Sequence, residues 1–410
     1  MDYGNLLVNV TSDNTNLPIA GASVEIASEN EPEQIIEQTT TNNSGQIDEL
    51  SLEAPPVEYS MEPGANKPYS EYTITISAPG YEPITVNGAE IFSGETAIQN
   101  ACLLPLATGD PNSTELFVIP DHTLWGDYPP KIPESEVKDV NETGEIVLSR
   151  VVIPEYVVVH DGPPSDRSAK DYYVRYRDYI KNVASSEIYS TWPEATIQAN
   201  ILAIQSFTLN RVYTEWYRNK GYTFTITTST AYDHKWIPNR NVFDSISRVV
   251  DEIFSNFLSR PGIEQPILTQ YCDGKNVSCP NWMSQWGSKS LGDQGYSAIE
   301  ILRNYYGDSI YINETEEISG VPSSYPGTPL RNGSVGEDVR TIQRQLNVIS
   351  DAYPLIPKIA EDGIFGPRTE EAVKTFQKIF NLTPDGIVGF RTWYKISEIY
   401  VGVSRIAELT

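Results

Sequence analysis

The sequence predicts a multidomain chain in which three units of different class follow one another. An all-β sandwich is expected over residues 1–105, an α+β unit over 166–315 and a three-helix unit over 327–400, with an acidic, Pro-rich connector over 106–165. Three observations carry this reading. Short alternating apolar runs broken by Gly, Pro, Asn and Ser fill the first hundred residues, a long apolar series at helical spacing follows Pro193, and the last eighty residues contain an internal repeat. The length agrees, because 410 residues at about 150 per domain predict two to three domains.

In the first unit the runs are Leu6-Leu7-Val8-Asn9-Val10, Ala22-Ser23-Val24-Glu25-Ile26 and Tyr72-Thr73-Ile74-Thr75-Ile76. Their period of two predicts half-buried strands in a small antiparallel sandwich. Leu17-Pro18-Ile19-Ala20-Gly21-Ala22 and Ala78-Pro79-Gly80-Tyr81 resemble the transthyretin-like sandwich of carboxypeptidase regulatory domains. That resemblance implies a scaffold or pro-domain without chemistry of its own.

The connector is dense in Pro, Gly, Asp and Glu, as in Trp125-Gly126-Asp127-Tyr128-Pro129-Pro130, and is expected to be extended and poorly packed. Charge changes at its far end. Residues 1–150 hold 25 acidic and 4 basic residues, a net −21, whereas the remaining 260 residues carry only −5 of the total −26. Arg150 and Val151 mark the step, and a basic residue in a loop there is a candidate processing site. Apolar Val151-Val152-Ile153 and Tyr156-Val157-Val158-Val159 then predict a strand opening the next unit.

In the middle unit a helix is predicted from Thr191 or Trp192 as cap, through Ile197, Ile201, Ile204, Leu209 and Val212, to a stop at Gly221. A strand over Tyr222–Ile226, a helix over Val242–Leu258 and another over Ala298–Tyr305 complete an α+β pattern. At the end of the chain, Asp362-Gly363-Ile364-Phe365-Gly366-Pro367-Arg368-Thr369 recurs as Asp385-Gly386-Ile387-Val388-Gly389-Phe390-Arg391-Thr392. Each copy reads as a Gly turn feeding a helix. With Val339, Ile342, Leu346 and Ile349 at helical spacing before them, these repeats predict three helices.

The repeats, with Arg331 to Val339, Ala372 to Gln377 and Trp393, resemble the peptidoglycan-binding domain of bacterial wall hydrolases. The resemblance implies a module that holds glycan or stem peptide. A second resemblance covers the middle unit. Asp178 to Glu187, then Trp192-Pro193-Glu194-Ala195-Thr196-Ile197-Gln198-Ala199, Met283-Ser284-Gln285-Trp286-Gly287-Ser288, Gly295 to Leu302 and Tyr305-Tyr306-Gly307 are similar to the SpoIID/LytB domain. It implies a catalytic Glu at Glu187. Where that family has Ala-Arg-Thr-Tyr, this chain has Ile204-Gln205-Ser206-Phe207, so a charged substrate contact is missing.

One carboxyl suits the implied reaction. Cleaving a β-1,4 glycosidic bond needs a proton on the leaving oxygen, and a Glu among apolar groups holds that proton near neutral pH because desolvation raises its pKa. In a lytic transglycosylase the resulting carboxylate then takes the proton of the sugar's own 6-hydroxyl, which leaves a 1,6-anhydro end and makes a second carboxylate unnecessary. Read from residue chemistry alone, Glu187 is a surface residue ahead of a helix, and the family pattern is what assigns it the acid role. Glu194 falls in a helix's first turn, where the dipole favours a carboxylate.

Candidate substrate contacts are Trp192, Asp233, His234, Gln285, Trp286, Tyr305 and Tyr306, within a block also rich in Tyr172, Tyr173, Tyr176, Tyr179, Tyr189 and Trp282. Sugar rings stack on aromatic faces, although core packing is the commoner fate of any single ring. Arg167, Lys170, Arg175, Arg177 and Lys181 form the densest basic run, open to two readings: contact with wall carboxylates or a solvated face. Cys272 and Cys279, with six residues between them, allow a disulfide, free thiols or two zinc ligands. His234 is the one further ligand in reach, so no metal and no cofactor are expected.

The surplus of acid excludes nucleic acid as a default partner, no apolar run reaches the length that crosses a bilayer, and Met1-Asp2-Tyr3-Gly4-Asn5 lacks the features of a secretory signal. The order of the units resembles the SleC family of spore cortex-lytic enzymes. That resemblance implies a zymogen located in the spore cortex or cell wall, acting on peptidoglycan glycan strands after a germination protease removes the front part. The alternatives are a non-catalytic wall-binding protein or activator of another hydrolase, and an amidase or endopeptidase.

Overall fold

The computed structural model describes residues 2–12, 16–106, 114–138 and 148–404. Two five-stranded sheets form the N-terminal part, nine of their ten strands being β1 (Asp2–Ser12), β2 (Leu17–Pro18), β3 (Ser23–Ser28), β4 (Ile35–Thr40), β5 (Leu50–Ala54), β6 (Ser70–Ser77), β7 (Ile84–Ile91), β8 (Thr96–Leu103) and β9 (Glu115–Val118), and the tenth a short strand of the middle unit given below. The alternation anticipated in the sequence is what packs them. Leu6, Val8 and Val10 of β1, Val24 and Ile26 of β3, and Ile74 and Ile76 of β6 are all fully buried in one cluster. The sandwich is not purely antiparallel, however: β1 pairs parallel to β8 and β7 parallel to β9. Long crossovers through other strands permit this, and local periodicity carries no signal for it.

The connector departs further from its expected character. β9 lies inside it and extends a sandwich sheet, while Ile119, His122, Leu124, Lys131 and Lys138 are buried. From Lys131 to Lys138 the chain runs as a strap without regular secondary structure along the middle unit, bending at Glu136 and Val137. Ile132 N–H donates to the Ala231 carbonyl at 2.7 Å, Leu268 N–H to the Glu136 carbonyl at 2.8 Å, and Lys138 N–H to Gln265 Oε1 at 2.8 Å. These bonds use the strap's backbone, so its side-chain composition gives no sign of them. Arg150 is exposed and ion-paired to Glu317 at 2.7 Å.

The middle unit begins with a three-stranded sheet in which β10 (Tyr156–His160) lies between β11 (Asp171–Arg175) and a strand given below. Thus a strand inside residues 106–165 already belongs to this sheet. α1 (Tyr176–Glu187) and α2 (Glu194–Tyr213) follow, with Glu194 in the first turn of α2 as expected. α2 is shorter than predicted, because Glu215 at φ 46° breaks it and a short 3-10 turn carries the chain to Gly221. Almost every side chain of α2 is buried, polar ones included, since α1 and the later helices surround it.

The predicted strand over Tyr222–Ile226 shrinks to β12 (Ile226–Thr227), which joins β10. The predicted helix over Val242–Leu258 resolves into β13 (Val242–Phe243), α3 (Asp244–Ile253) and β14 (Asn256–Ser259). Partners outside that segment decide this outcome: β13 pairs with Ile98 and Ala97 of β8, tying the middle unit to the sandwich, and β14 pairs with a strand over Tyr311–Glu314. β15 (Tyr271–Cys272), β16 (Met283–Ser284), α4 (Gln285–Asp293), α5 (Ala298–Tyr306) and β17 (Tyr311–Glu314) complete the unit. Ser297 and Glu300 close a capping box at the start of α5.

The C-terminal unit is three helices, α6 (Glu337–Ala352), α7 (Pro367–Ile379) and α8 (Phe390–Ser404). Its repeat has a physical basis. Gln343 Nε2 donates to Asp362 Oδ1, the Ile364 carbonyl and Thr369 Oγ1 at 3.0–3.2 Å, and Gln343 Oε1 accepts from Gly363 N–H at 2.8 Å. Gln377 repeats the same four bonds with Asp385, Ile387, Thr392 and Gly386. Gly363 and Gly386 sit at φ 75° and 77°, which a Cβ would strain.

The basic run divides between these structures. Arg167 and Lys170 are exposed. Arg177 bridges Asp251 and Glu398, and Lys181 pairs with Asp251 at 2.8 Å, so these two cations bind internal carboxylates and dock α8 against the middle unit. They form neither a solvated face nor a contact with wall polymer. Among the described residues no helix is long and apolar enough to cross a membrane.

Candidate active site

Glu187 is the last residue of α1. Ile188 turns extended at φ −136° and ψ 149°, which ends the helix and leaves the Glu187 carboxyl aimed inward with only 3% of the residue exposed. Three elements hold it. Lys235 N–H donates to Oε1 at 2.6 Å, the Tyr271 hydroxyl of β15 donates to Oε2, and Gln285 Nε2 at the start of α4 donates to its backbone carbonyl at 2.9 Å.

Burial pushes the Glu187 carboxyl above its ordinary pKa, and the nearby Lys131 charge, the Tyr271 hydrogen bond and the Lys235 amide pull the other way without cancelling it. The neighbours feel the same dry surroundings. Burial lowers the pKa of both Lys131 and Lys235, and the Tyr271 hydroxyl is driven well above its usual value. Lys131 donates to the Asp233 carbonyl and stands 4.8 Å from the Tyr271 ring centre.

Glu187 borders an open cleft of about 480 Å³, a volume that includes the solvent space at its mouth. Tyr128, Pro129, Pro130 and Lys131 from the connector line it together with Tyr271, Gln285 and the loop residues Cys272, Asp273, Asn276 and Val277. Cys272 and Cys279 are joined in a disulfide, with Cα atoms 5.6 Å apart. Asp273 braces the enclosed loop by accepting from Asn276 and Val277 N–H at 2.7 and 2.9 Å. Both thiolates are thereby consumed. Among the described residues no group of three His, Cys, Asp or Glu is placed to hold a metal ion.

Of the seven expected substrate contacts, Gln285 alone borders the cleft. Asp233 is fully buried, accepting from Arg211 Nε at 2.8 Å, Tyr217 at 2.6 Å and Thr227 at 2.7 and 2.9 Å, and so fixes the loop that presents Lys235. His234 lies behind Tyr271, its ring parallel to it within 14° and its Nδ1 bonded to the Tyr179 hydroxyl. Desolvation and the charges of Lys131 and Arg211 keep it neutral. Trp192 and Trp286 pack on each other at 5.0 Å, and the Trp192 indole donates to the Ser60 carbonyl of the sandwich. Tyr306 is buried and bonds the Gln270 carbonyl, while Tyr305 is half-buried against Gly287.

Sequence reasoning missed Tyr271, Lys235 and the strap. Tyr271 was legible only as the neighbour of Cys272, and nothing in a Pro-Pro-Lys run marks a side chain that enters a buried site from a distant segment.

Residues 335–396 match the family model of a peptidoglycan binding domain. The C-terminal unit is a peptidoglycan-binding domain. Among curated proteins, N-acetylmuramoyl-L-alanine amidase CwlL of Bacillus licheniformis is 25% identical over 224 residues, 54% of this chain and 58% of that protein. The zinc D-Ala-D-Ala carboxypeptidase of Streptomyces albus G is 42% identical over 77 residues, 18% of this chain and 28% of that enzyme. The chain therefore spans less than two thirds of either relative. A solved structure of a mutant Acinetobacter radioresistens catechol 1,2 dioxygenase, 16% identical with a TM-score of 0.17, covers 28% of this chain and 57% of its own, and carries no argument.

Proposed function

We propose that this chain is a lytic transglycosylase of the spore cortex, made as a zymogen and cleaving the MurNAc-GlcNAc bond of peptidoglycan during germination. The observation that carries the reading is the Glu187 carboxyl, buried at the edge of a cleft with its pKa raised, in a chain that ends in a peptidoglycan-binding domain. The SpoIID-like motifs around it supply the substrate class.

In this reading protonated Glu187 gives its proton to the bridging oxygen as the C1–O4 bond breaks. The muramic 6-hydroxyl then bonds to C1, and the Glu187 carboxylate takes the hydroxyl proton, so the acid is regenerated without water. Lys235 and the Tyr271 hydroxyl, both beyond Arg150, steady the carboxylate between the two transfers, whereas Lys131 belongs to the part that processing removes. Zymogen character rests on the strap that walls the cleft, on the exposed Arg150, and on the charge step there, since removing residues 1–150 sheds most of the negative charge of a protein meant for an anionic wall. Arg150-Val151 is the proposed site of the activating germination protease.

A second reading, an amidase, is favoured by the similarity to the Bacillus licheniformis enzyme. Mass spectrometry of fragments released from purified cortex by the protease-processed chain separates the two. Anhydromuramic ends support the transglycosylase, whereas intact glycan strands with freed stem peptides would establish the amidase. Release of nothing would leave a wall-binding or activator protein.

A further inference from the structure

The strap does more than wall the cleft. Beyond Lys131 it presents Glu134 and Glu136, on either side of Ser135, to two arginines of the middle unit. Glu134 takes both terminal nitrogens of Arg211 at 2.6 and 3.0 Å, and Glu136 takes Nε and one terminal nitrogen of Arg260. Arg211 has no exposed side-chain surface. Burial alone would raise the Glu134 pKa, yet the Arg211 and Lys138 contacts hold it down at about 2.

Each arginine is also anchored from within its own unit. Arg211 keeps Asp233 and the Tyr232 carbonyl, and Arg260 keeps Ser309 and the Tyr306 carbonyl. Lifting the strap therefore leaves two fixed guanidinium forks, each with an open edge shaped for a bidentate carboxylate. The strap itself is lightly covered on its outer side, where Ile132, Pro133 and Ser135 are exposed, and it lies ahead of Arg150.

We infer that the groove beneath residues 131–138 is an anion-reading subsite, continuous with the Glu187 cleft, in which Arg211 and Arg260 bind carboxylates of the wall polymer and Glu134 and Glu136 occupy their places in this chain. The inference rests on Glu187 acting on peptidoglycan and adds what the neighbouring groove recognises. The carboxylate comes from the muramic lactyl group or from the stem peptide.

The test compares the full chain with its Glu134→Gln/Glu136→Gln variant. Calorimetric titration uses three probes: chitobiose, with no carboxylate; GlcNAc-MurNAc, with the lactyl carboxylate; and GlcNAc-MurNAc-L-Ala-D-isoGln, with a peptide carboxylate alone. Hydrogen exchange at the Ile132, Glu134 and Lys138 amides reports whether the strap has lifted, and the wild-type chain supplies the contribution of the C-terminal domain. The variant is expected to exchange faster at the strap and to bind one carboxylate probe at least tenfold more tightly than chitobiose. Adding Arg260→Gln should erase that preference, and the preferred probe names the carboxylate's source. Equal binding of all three probes overturns the inference while leaving glycan cleavage standing. No binding of any probe by a variant whose strap has lifted overturns both, and a strap that stays protected in the variant overturns the role given to Glu134 and Glu136.

Discussion

Replacing Glu90 with Gln should loosen the hold of the sandwich on the middle unit by a large factor. Glu90, on β7, meets Arg240 through two bonds at 2.6 and 3.1 Å, and neither side chain has more than 1% of its surface exposed. The Glu90 backbone is held independently, since Asn241 bonds its N–H at 3.0 Å and its carbonyl at 2.9 Å. The substitution thus removes the charge and leaves the strand in place. Arg240 then retains only uncharged acceptors, the Ser185 carbonyl and the amide oxygen of the replacement side chain. Breaking a buried pair from one side costs about 3–5 kcal/mol, because the remaining charge is neither solvated nor compensated. That corresponds to a shift of roughly 150- to 5,000-fold in the opening equilibrium. Hydrogen exchange at β8, which pairs with β13 of the middle unit, reads the opening directly. A change under tenfold would refute the argument, as would failure of the apolar double variant Glu90→Leu/Arg240→Met to recover most of the loss.

Three further outcomes are expected. Tyr271→Phe removes a hydrogen bond that favours the charged form of Glu187, so its pKa rises further and the high-pH limb of kcat/KM in the processed enzyme moves to higher pH; an unmoved limb, or one at lower pH, contradicts the acid role. Gln343→Ala strips the Gly363 N–H of its acceptor in the first repeat, at a cost of about 1–3 kcal/mol, read as faster exchange at that amide and weaker pelleting of the chain with peptidoglycan. Cys272→Ser/Cys279→Ser opens a short loop whose closure contributes roughly 2.5 kcal/mol in the chain-entropy model; urea unfolding monitored at the cleft should show the loss, and reductant should reproduce it in the wild type.

What could be read from the sequence was whatever repeats locally. The alternation in β1 and β3, the apolar series of α2 and the Asp-Gly repeats of the C-terminal unit each carry their own period, and each appears in the structure. Features created between distant segments were not legible. The parallel β1 and β8 pair, the strands at either end of α3 and the burial of Trp192 against Ser60 depend on partners tens to hundreds of residues away. Among the candidate site residues, Gln285 lies beside Glu187 in the cleft, whereas Asp233 and His234 stand behind it as supports. An aspartate that holds a loop and one that holds a ligand look alike until their partners are known. The strap was the largest surprise, because a Pro-rich acidic composition suggests solvent, and here its acids meet Arg211 and Arg260.

The most direct test of the account is cortex digestion in ¹⁸O-water by the processed chain and by its Glu187→Gln variant. The account predicts that the wild type releases fragments with unlabelled 1,6-anhydromuramic ends, because the sugar's own hydroxyl closes the ring, and that the variant releases none. One ¹⁸O at each new glycan end would mean that water is the nucleophile, and undiminished release by the variant would remove Glu187 from the chemistry.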